Sequence, residues 1–449
     1  MDVLPNYLIL DPKVDRLPAS ALRELQSQRL RHMVRYCYSS THFWRRKFDA
    51  AGVRPEDITS IDDLPKIPYC TKAELQADQL VHPPFGSYVG AARTHWARYF
   101  ATSGTTGQPV RRVMSARDWS YVLDRFRRNP VAGPGDIAVV LGPVDGLVGP
   151  NASNESLTAM GAMVVQAGLY DTRTKIKLIA DLRPNLVSGA ASYLLHMLEV
   201  AQEMGVALSD LGIRALSSVG EPGGANHGTR ERLKAGWGVQ HVGDGFGMTE
   251  IFPLGGNCPH STSIHVASDM AAAEVVDPQT GQPLLPGEIG ELVITNLVGD
   301  SQPLLRYRSR DYARLATTGA CACGFTGTRL EGSILGRVDD MIWFRGANIF
   351  PSAIEAAVRR ITELTSEYQI EISGDSALPR LLVRAEALRR DLQSDEIDAL
   401  RDRLGEALRD SIRVTPTVEI VGPGKLPRPD GRKKMQRVVD KRVRQGTIE

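Results

Sequence analysis

One short segment of the chain combines hydroxyl side chains with glycines, which is a composition that can bind phosphate. It contains Ser103, Gly104, Thr105, Thr106 and Gly107. Glycine allows close approach of the backbone, so the N–H and O–H donors of such a loop can wrap a polyphosphate. No Gly-Lys-Ser/Thr follows, so the loop is not of the Walker type. The segment predicts a phosphate-binding loop, with a plain surface turn as the alternative.

A second group of residues has the chemistry of a metal site. Cys321 and Cys323 are separated by one residue, and Cys258 lies upstream with His260 and His265 close behind it. Three thiolates and one imidazole form the tetrahedral ligand set that zinc prefers. A site closed by four protein ligands has no open position, so we expect a structural zinc ion. Reduced cysteines without a metal are the alternative, and either histidine satisfies the pattern.

Alternating elements must position these residues. Apolar runs at 137–141, 163–165 and 186–189 indicate strands, and helical periodicity follows at about 194–204 and 229–235. Strands that alternate with helices favour an α/β sheet.

The predicted secondary structure changes in type twice further along the chain. Residues 255–335 are richer in strand-like segments with Pro-Gly turns, which predicts a β subdomain. Beyond 336 we expect a separate small α+β domain, with helices beginning at Pro351 and near Ser394, the expected N-cap. The predicted fold is therefore α/β: an N-terminal domain over 1–336 and a C-terminal domain over 337–449, for which the resemblance described below implies a mobile lid.

Composition limits the classes of function. The chain has 449 residues, of which 42% are hydrophobic and 24% charged, and its formal net charge is +2. These values are typical of a globular protein and do not indicate nucleic acid or an anionic membrane as a partner. The first ten residues lack the pattern of a signal peptide, so we expect a cytoplasmic location. Five cysteines in so long a chain argue against a disulfide framework.

Four further motifs follow the loop at 103–107 in a fixed order. They are Gly-Phe-Gly-Met-Thr-Glu at 245–250, Arg-Tyr-Arg-Ser-Arg-Asp at 306–311, Gly-Arg-Val-Asp-Asp at 336–340 and a basic segment at 424–440. Together the five resemble the adenylate-forming superfamily of acyl-CoA synthetases. The match is closest to its phenylacetate-CoA ligase branch, and it extends over most of the chain.

The resemblance assigns roles around the nucleotide. Phe246 corresponds to the ring beside adenine, Thr249 to a phosphate contact and Glu250 to the carboxylate that binds Mg²⁺. Asp311 corresponds to the residue that holds the ribose hydroxyls, a task that suits a carboxylate because it accepts two hydrogen bonds. Arg337 corresponds to the arginine that contacts the nucleotide.

The same resemblance predicts the moving parts. Asp339 matches the hinge, and Lys434 matches the catalytic lysine, with Lys433 as the fallback because the segment carries extra residues. Gly346 marks the face of the small domain that admits the thiol. Arg310 replaces the family's glycine before Asp311, which puts the local turn geometry in question.

Family position also places the remaining binding residues and the zinc ligand. The loop with Gly220, Glu221 and Pro222, together with Gly247, belongs to the nucleotide site, and His265 aligns with the zinc ligand. The acid pocket is expected to draw on Asn151, Ser153, Ser188, Gly189, Tyr193, Gly245 and Gly247. Polar side chains there predict a hydroxy- or amino-substituted benzoate, because buried polar groups need partners. Ordinary polarity of a surface loop is the alternative.

The resemblance implies an ATP-dependent aryl-acid–CoA ligase. An acid attacks the α-phosphate of ATP, pyrophosphate leaves, and the acyl group passes from AMP to coenzyme A. The expected cofactors are ATP, Mg²⁺, coenzyme A and structural Zn²⁺. Two alternatives remain open, namely loading of a carrier-protein pantetheine in trans and an inactive nucleotide-binding relative. A carrier protein and a second copy of the chain are the protein partners considered.

Overall fold

The computed structural model describes residues 14–102, 108–128, 131–221, 223–251, 254–317, 319–338, 341–344, 347–374, 380–428 and 437–442. The predicted residues in the phosphate loop at 103–107, together with Pro222, Asp339, Gly346, Lys433 and Lys434, lie outside these ranges. Within the ranges, none of the helices has both the length and the apolar character needed to cross a bilayer.

The first part of the chain that the structure describes contains three helices, a β-hairpin and a fourth helix. The elements are α1 (Ala19–Ser40), α2 (His42–Ala51), α3 (Lys72–Val81), β1 (Trp96–Ala101), β2 (Arg111–Ser115) and α4 (Ala116–Arg127). Helix α3 starts at a capping box, in which Thr71 accepts from the backbone of Glu74 and the Glu74 carboxylate accepts from the backbone of Thr71. Strands β1 and β2 pair antiparallel and flank the predicted phosphate loop.

A mixed eight-stranded sheet with the order β13-β9-β8-β7-β6-β5-β3-β4 forms the centre of the large domain. Strands β3 to β7 run parallel, and the predicted apolar runs form β3, β4 and β5. The strands are β3 (Ile137–Val140), β4 (Met163–Gln166), β5 (Leu186–Gly189), β6 (Ala215–Val219), β7 (His241–Phe246), β8 (Gly255–Cys258), β9 (Ser261–Val266) and β13 (Arg329–Leu330). The helices between them are α5 (Val148–Ala159), α6 (Thr172–Leu182), α7 (Ala191–Glu203) and α8 (His227–Trp237). The predicted α/β architecture is confirmed.

A second sheet, with the order β10-β11-β12-β14, follows the large one. Its strands are β10 (Ala271–Val276), β11 (Ile289–Asn296), β12 (Tyr307–Arg314) and β14 (Gly336–Arg337). Its apolar face shares one core with the N-terminal helices, which contribute side chains such as Trp44 and Leu75. Strands β8 and β9, at the start of the β-rich region expected from 255, continue the large sheet instead.

The C-terminal part packs around a core of its own. Its elements are β15 (Ile342–Phe344), β16 (Ala347–Ile349), α9 (Pro351–Arg359), β17 (Leu364–Ser373), β18 (Arg380–Ala387), α10 (Ser394–Ile412), β19 (Thr417–Val421) and β20 (Val438–Asp440). Helix α9 begins at Pro351 as expected, but the N-cap of α10 is Gln393 and not Ser394. The reason is a capping box in which the Glu396 carboxylate accepts from the backbone N–H of Gln393 at 2.8 Å.

Polar contacts join the C-terminal part to helices α7 and α8. The buried Arg359 donates to the Thr229 hydroxyl at 2.5 Å, and Arg232 donates to the carbonyl oxygen of Leu364 at 2.9 Å. Glu199 accepts from both the backbone and the hydroxyl of Ser366, at 3.3 and 3.2 Å. This set of contacts fixes one relative orientation of the two parts.

Candidate active site

The carboxyl ends of the parallel strands bring the predicted nucleotide and acid residues to one edge of the sheet. Gly189 of β5 pairs with Ser218 of β6, and Val219 pairs with Gly245 of β7. In open α/β sheets this edge is where ligands bind. The loops that follow these strands therefore lie at one edge, where a ligand-binding crevice is expected, although Gly189 and Gly245 are 56 positions apart in the sequence.

The motif at 245–250 forms the end of β7 and the turn after it. Phe246 is half-buried and pairs with Gly255 of β8, and Gly247 is exposed at the edge of the crevice. The backbone N–H of Met248 donates to the carbonyl oxygen of Ile251, which closes the turn that carries Thr249. The aromatic ring and the hydroxyl are thus held on a short rigid segment beside the sheet edge.

Glu250 is the buried carboxylate of this turn. Its Oε1 lies 3.3 Å from Nζ of Lys72, and the side chain of the buried Tyr307 lies close to the same carboxylate. Arg112, which is also buried, contributes a further positive charge nearby. A buried carboxylate with such partners stays in one orientation, which suits a ligand for Mg²⁺ because this ion usually binds one or two carboxylates plus substrate phosphates.

Asp311 and Arg337, the two residues expected at the ribose, lie together. Nη1 of Arg337 is 3.2 Å from Oδ1 of Asp311, and their strands β12 and β14 pair at these positions. Arg310 adopts φ +61°, the left-handed conformation that glycine would adopt without strain. It lies where the register between β11 and β12 shifts, so the bulge is built despite the missing glycine.

The loops predicted to bind the acid and the nucleotide contact one another. The Glu221 carboxylate accepts from the backbone N–H of Ser192 at 2.6 Å, so the loop that begins at Gly220 is tied to the first turn of α7. Ser188 is buried at the end of β5. Tyr193 is buried as well, and its hydroxyl lies 3.1 Å from that of Thr172.

The two polar residues expected to recognise substituents on the acid have different surroundings. Asn151 lines an open cavity of about 210 Å³ together with Arg98, Tyr99, Val144, Ala97, Phe100 and Gly146. Its amide nitrogen donates to the carbonyl oxygen of Leu147 at 2.9 Å, and an amide side chain also carries an acceptor oxygen. Ser153 is buried within α5.

The three predicted cysteines and one histidine form a compact buried cluster. The ligand atoms of Cys258, His265, Cys321 and Cys323 all lie within 4.8 Å of one another, and the sulfur atoms of Cys258 and Cys321 are 3.8 Å apart. The ring of Phe325 stacks on His265 at 4.3 Å between centroids, and Nε2 of His265 has no hydrogen-bond partner within the described part of the chain. His260, the alternative ligand, is exposed in the turn between β8 and β9.

Sequence reasoning missed Asp244, a buried carboxyl of β7. Its side chain accepts from the Ser333 hydroxyl at 2.7 Å, and its backbone N–H donates to the side-chain oxygen of Asn257 at 2.8 Å. Burial raises the pKa of Asp244 to about 6. Its position directly before the 245–250 motif is the only signal in the sequence, and that signal does not reveal the distant partner Ser333.

Two family models match the chain. Residues 17–297 match the AMP-binding enzyme model, and residues 346–442 match the model of the AMP-binding enzyme C-terminal domain. The phenylacetate-coenzyme A ligase of Thermus thermophilus is 33% identical to this chain over an alignment of 455 positions. The alignment covers 97% of this chain and 100% of that protein.

Solved structures of one enzyme distinguish two arrangements. A 2-hydroxyisobutyryl-CoA ligase in the postadenylation state, 27% identical, superposes with a TM-score of 0.89 over 96% of this chain and 91% of its own. A structure of the ligase in the thioesterification state, 28% identical to this chain, superposes with a TM-score of 0.71. That comparison covers 96% of this chain and 92% of the ligase. The orientation of the two parts of this chain is therefore similar to the postadenylation state.

Proposed function

We propose that this chain, which belongs to the AMP-binding enzyme family and is an AMP-forming acid–thiol ligase related to phenylacetate-coenzyme A ligases, activates an aromatic carboxylic acid with a hydroxyl or amino substituent. The observation that carries the proposal is the meeting of the acid and nucleotide loops at the carboxyl edge of β5, β6 and β7, where Glu221 joins them. Full-length similarity to phenylacetate-coenzyme A ligases supports an aromatic acid.

The nucleotide half of this crevice holds ATP. Phe246 packs against adenine, Asp311 accepts hydrogen bonds from the ribose hydroxyls and Arg337 steadies Asp311 at 3.2 Å. The Thr249 hydroxyl donates to a phosphate oxygen, and Glu250 binds Mg²⁺. When bound, Mg²⁺ offsets the negative charge that develops as the acid approaches the α-phosphate. The loop at 103–107 and Lys434 complete this set in the proposal.

The acid half of the crevice lies beside α5 and the start of α7. Ser188, Gly189 and Tyr193 form its wall in the proposal, and Gly245 leaves space for a flat ring next to the sheet. The side-chain oxygen of Asn151 accepts a hydrogen bond from a hydroxyl or amino substituent. Such recognition discriminates strongly, because an acid without the substituent leaves the amide unpaired.

The second half-reaction requires a different orientation of the C-terminal domain, which we take as residues 337–449 with the hinge at Asp339. The difference between the TM-scores of 0.89 and 0.71 supports such a movement, because the two structures compared are states of one enzyme. Two contacts between the domains, Arg359 with Thr229 and Glu199 with Ser366, then break when the thiol of coenzyme A enters.

We further propose that the cysteine–histidine cluster holds a structural zinc ion. The four ligand atoms within 4.8 Å, the three sulfur donors and the unpartnered buried Nε2 of His265 all fit tetrahedral coordination. Zinc bound there ties β8 and β9 to the turn at Cys321–Cys323, behind the strand that carries Phe246.

A panel of acids tests the choice of substrate. Pyrophosphate release is measured with phenylacetate, benzoate, hydroxybenzoates, aminobenzoates and 2-hydroxyisobutyrate, with coenzyme A or a carrier-protein pantetheine as the acceptor. We expect the highest kcat/KM with a hydroxy- or aminobenzoate and coenzyme A, and a loss of about tenfold or more when the substituent is removed. Equal or better use of plain phenylacetate would contradict the assignment.

A small branched hydroxy acid is the second candidate, because the 2-hydroxyisobutyryl-CoA ligase superposes with a TM-score of 0.89. The Asn151→Ala variant separates the two candidates. If the substrate is aromatic, the substitution reduces kcat/KM for the hydroxy- or aminobenzoate and leaves kcat/KM for benzoate nearly unchanged. Preference for 2-hydroxyisobutyrate over every ring tested decides for the second candidate.

A further inference from the structure

Lys72 lies against the carboxylate that we propose as the Mg²⁺ ligand. Its Nζ is 3.3 Å from Oε1 of Glu250. The side chain of Lys72 is 35% exposed, whereas that of Glu250 is only 9% exposed. A cation that remains in contact with solvent therefore faces a carboxylate that is almost entirely buried, so the ammonium group can be reached by a ligand that enters beside Glu250.

Backbone pairing holds the start of α3 against the strand that carries Tyr307. The backbone N–H of Cys70 donates to the carbonyl oxygen of Arg306 at 3.1 Å. The backbone N–H of Arg308 donates to the carbonyl oxygen of Cys70 at 2.9 Å. Because Tyr307 also lies close to Glu250, the lysine and the tyrosine approach one carboxylate from two adjacent segments.

The same face of α3 reaches the strand that leaves the predicted phosphate loop. Positions 72, 76 and 79 are neighbours on a helix surface. Gln76 donates to the carbonyl oxygen of Gln108. Gln79 pairs with the backbone of Arg111 in both directions, donating at 2.7 Å and accepting at 3.1 Å. One helix face thus connects Glu250 to the end of that loop.

We propose that Lys72 is a positioning residue of the adenylation step. Its ammonium group fixes the orientation of the Glu250 carboxylate for Mg²⁺ and adds a positive charge beside the triphosphate of ATP. Lysine suits this task because it acts on phosphate as a point charge on a flexible chain. The proposal rests on the role proposed above for Glu250, and Lys72 itself makes and breaks no covalent bond.

Calorimetric binding of ATP with Mg²⁺, in the absence of any acid, tests the proposal directly. In the Lys72→Met variant we expect the Kd for ATP to rise about tenfold, which is about 1.4 kcal/mol. The Mg²⁺ concentration for half-maximal pyrophosphate exchange rises as well, whereas the KM for the acid stays within about twofold. Lys72→Arg, which keeps the charge, recovers most of the loss.

Lys47→Met is the matched control, because Lys47 of α2 forms its ion pair with Glu74 of α3, the helix that carries Lys72. We expect it to bind ATP like the parent chain. The proposal fails if Lys72→Met binds ATP within twofold of the parent, if the control weakens binding equally, or if Mg²⁺ acts at a lower concentration in Lys72→Met. Should Lys72→Met not fold, Lys72→Gln is measured against the same limits.

Calorimetry without the acid also keeps two failures apart. If no aromatic acid is activated, the proposed substrate is wrong, but the effect of Lys72 on binding of ATP with Mg²⁺ is still measured. If the acids are activated and the Lys72 variants bind ATP normally, only the role of Lys72 is wrong.

Discussion

Two polar clusters lie next to the paired strands β7 and β8, one at the turn that follows β7 and one around Cys258 of β8, and they differ in how much of the coordination the protein itself supplies. The cluster of Cys258, His265, Cys321 and Cys323 offers four ligand atoms within 4.8 Å. Glu250 instead offers one buried carboxylate, with a partly exposed lysine beside it. The first arrangement suits a structural ion, and the second leaves coordination positions for substrate phosphates.

Asp244 links the two clusters. It precedes the turn that carries Glu250, and its backbone N–H donates to the side chain of Asn257, which is adjacent to Cys258. The strands also pair directly, Gly245 with Gly256 and Phe246 with Gly255. Under our proposal, a closed zinc site would stiffen these strands, and an open Mg²⁺ site at the turn after β7 would take part in the reaction.

Removal of one ligand from the closed cluster is expected to have the largest effect. Cys321→Ser should lose bound zinc and lower Tm by about 10 °C or more, because a structural zinc site contributes its binding free energy to folding. Zinc per chain by atomic emission and thermal unfolding measure both effects. Cys37→Ala, which changes a fully buried thiol outside the cluster, should keep its zinc. A parent chain purified without zinc would contradict the assignment.

Glu250→Gln tests the open cluster and should leave the closed one intact. We expect kcat/KM for adenylation to fall about 10²- to 10³-fold, the usual effect of losing one group that stabilises transition-state charge. Zinc content should not change, and Tm should change little. Single-turnover formation of the acyl-adenylate measures the loss, and a variant that keeps the activity of the parent shows that the carboxylate has no part in the step.

Asp244→Asn tests the connection between the clusters through pH. Burial raises the pKa of Asp244 from 3.8 to about 6, so the folded chain holds its proton to higher pH than the unfolded chain. The free energy of unfolding therefore falls by about 3 kcal/mol as the pH rises from about 4 to 6, and this contribution is constant above pH 6. The stability of Asp244→Asn relative to the parent should rise over that interval. Urea unfolding at several pH values measures it, and parallel pH profiles rule it out.

Arg310→Val is expected to have the smallest effect. Its left-handed backbone, φ +61°, is least accessible to a β-branched residue, so stability should fall by about 1 to 2 kcal/mol. The KM for ATP should rise a few-fold, because the bulge orients Asp311. Arg310→Gly, which accepts this conformation, should bind ATP like the parent. Equal behaviour of the two variants would show that the bulge is not needed.

Much of the architecture follows from local patterns. The apolar runs at 137–141, 163–165 and 186–189 coincide with β3, β4 and β5, because strands covered on both faces need few polar residues. The predicted N-cap of α10, Ser394, is wrong by one residue. Gln393 is the N-cap because it forms a capping box with Glu396, which the general preference for serine at N-caps does not predict. The cluster contains His265, the histidine expected from the resemblance, and not the alternative His260, because His265 is buried in β9 opposite Arg329 and Gly256 whereas His260 is exposed.

The residues that sequence reasoning missed depend on long-range pairing. Lys72 reaches Glu250 only because Cys70 pairs with the backbone around Tyr307, more than 200 positions away. The partner of Asp244, Ser333, is 89 residues distant. Motifs can identify Phe246, Glu250 and Asp311, but the partners that orient them are set by tertiary contacts that no local pattern encodes.

Detection of the intermediate tests the central claim most directly. The chain is mixed with ATP, Mg²⁺ and a hydroxy- or aminobenzoate without coenzyme A, and the quenched products are analysed by mass spectrometry. The account predicts an enzyme-bound aryl-adenylate and one equivalent of pyrophosphate, followed by conversion to the aryl thioester and AMP when coenzyme A is added. Formation of ADP and phosphate, or no aryl-adenylate with any aromatic acid supplied, would contradict it.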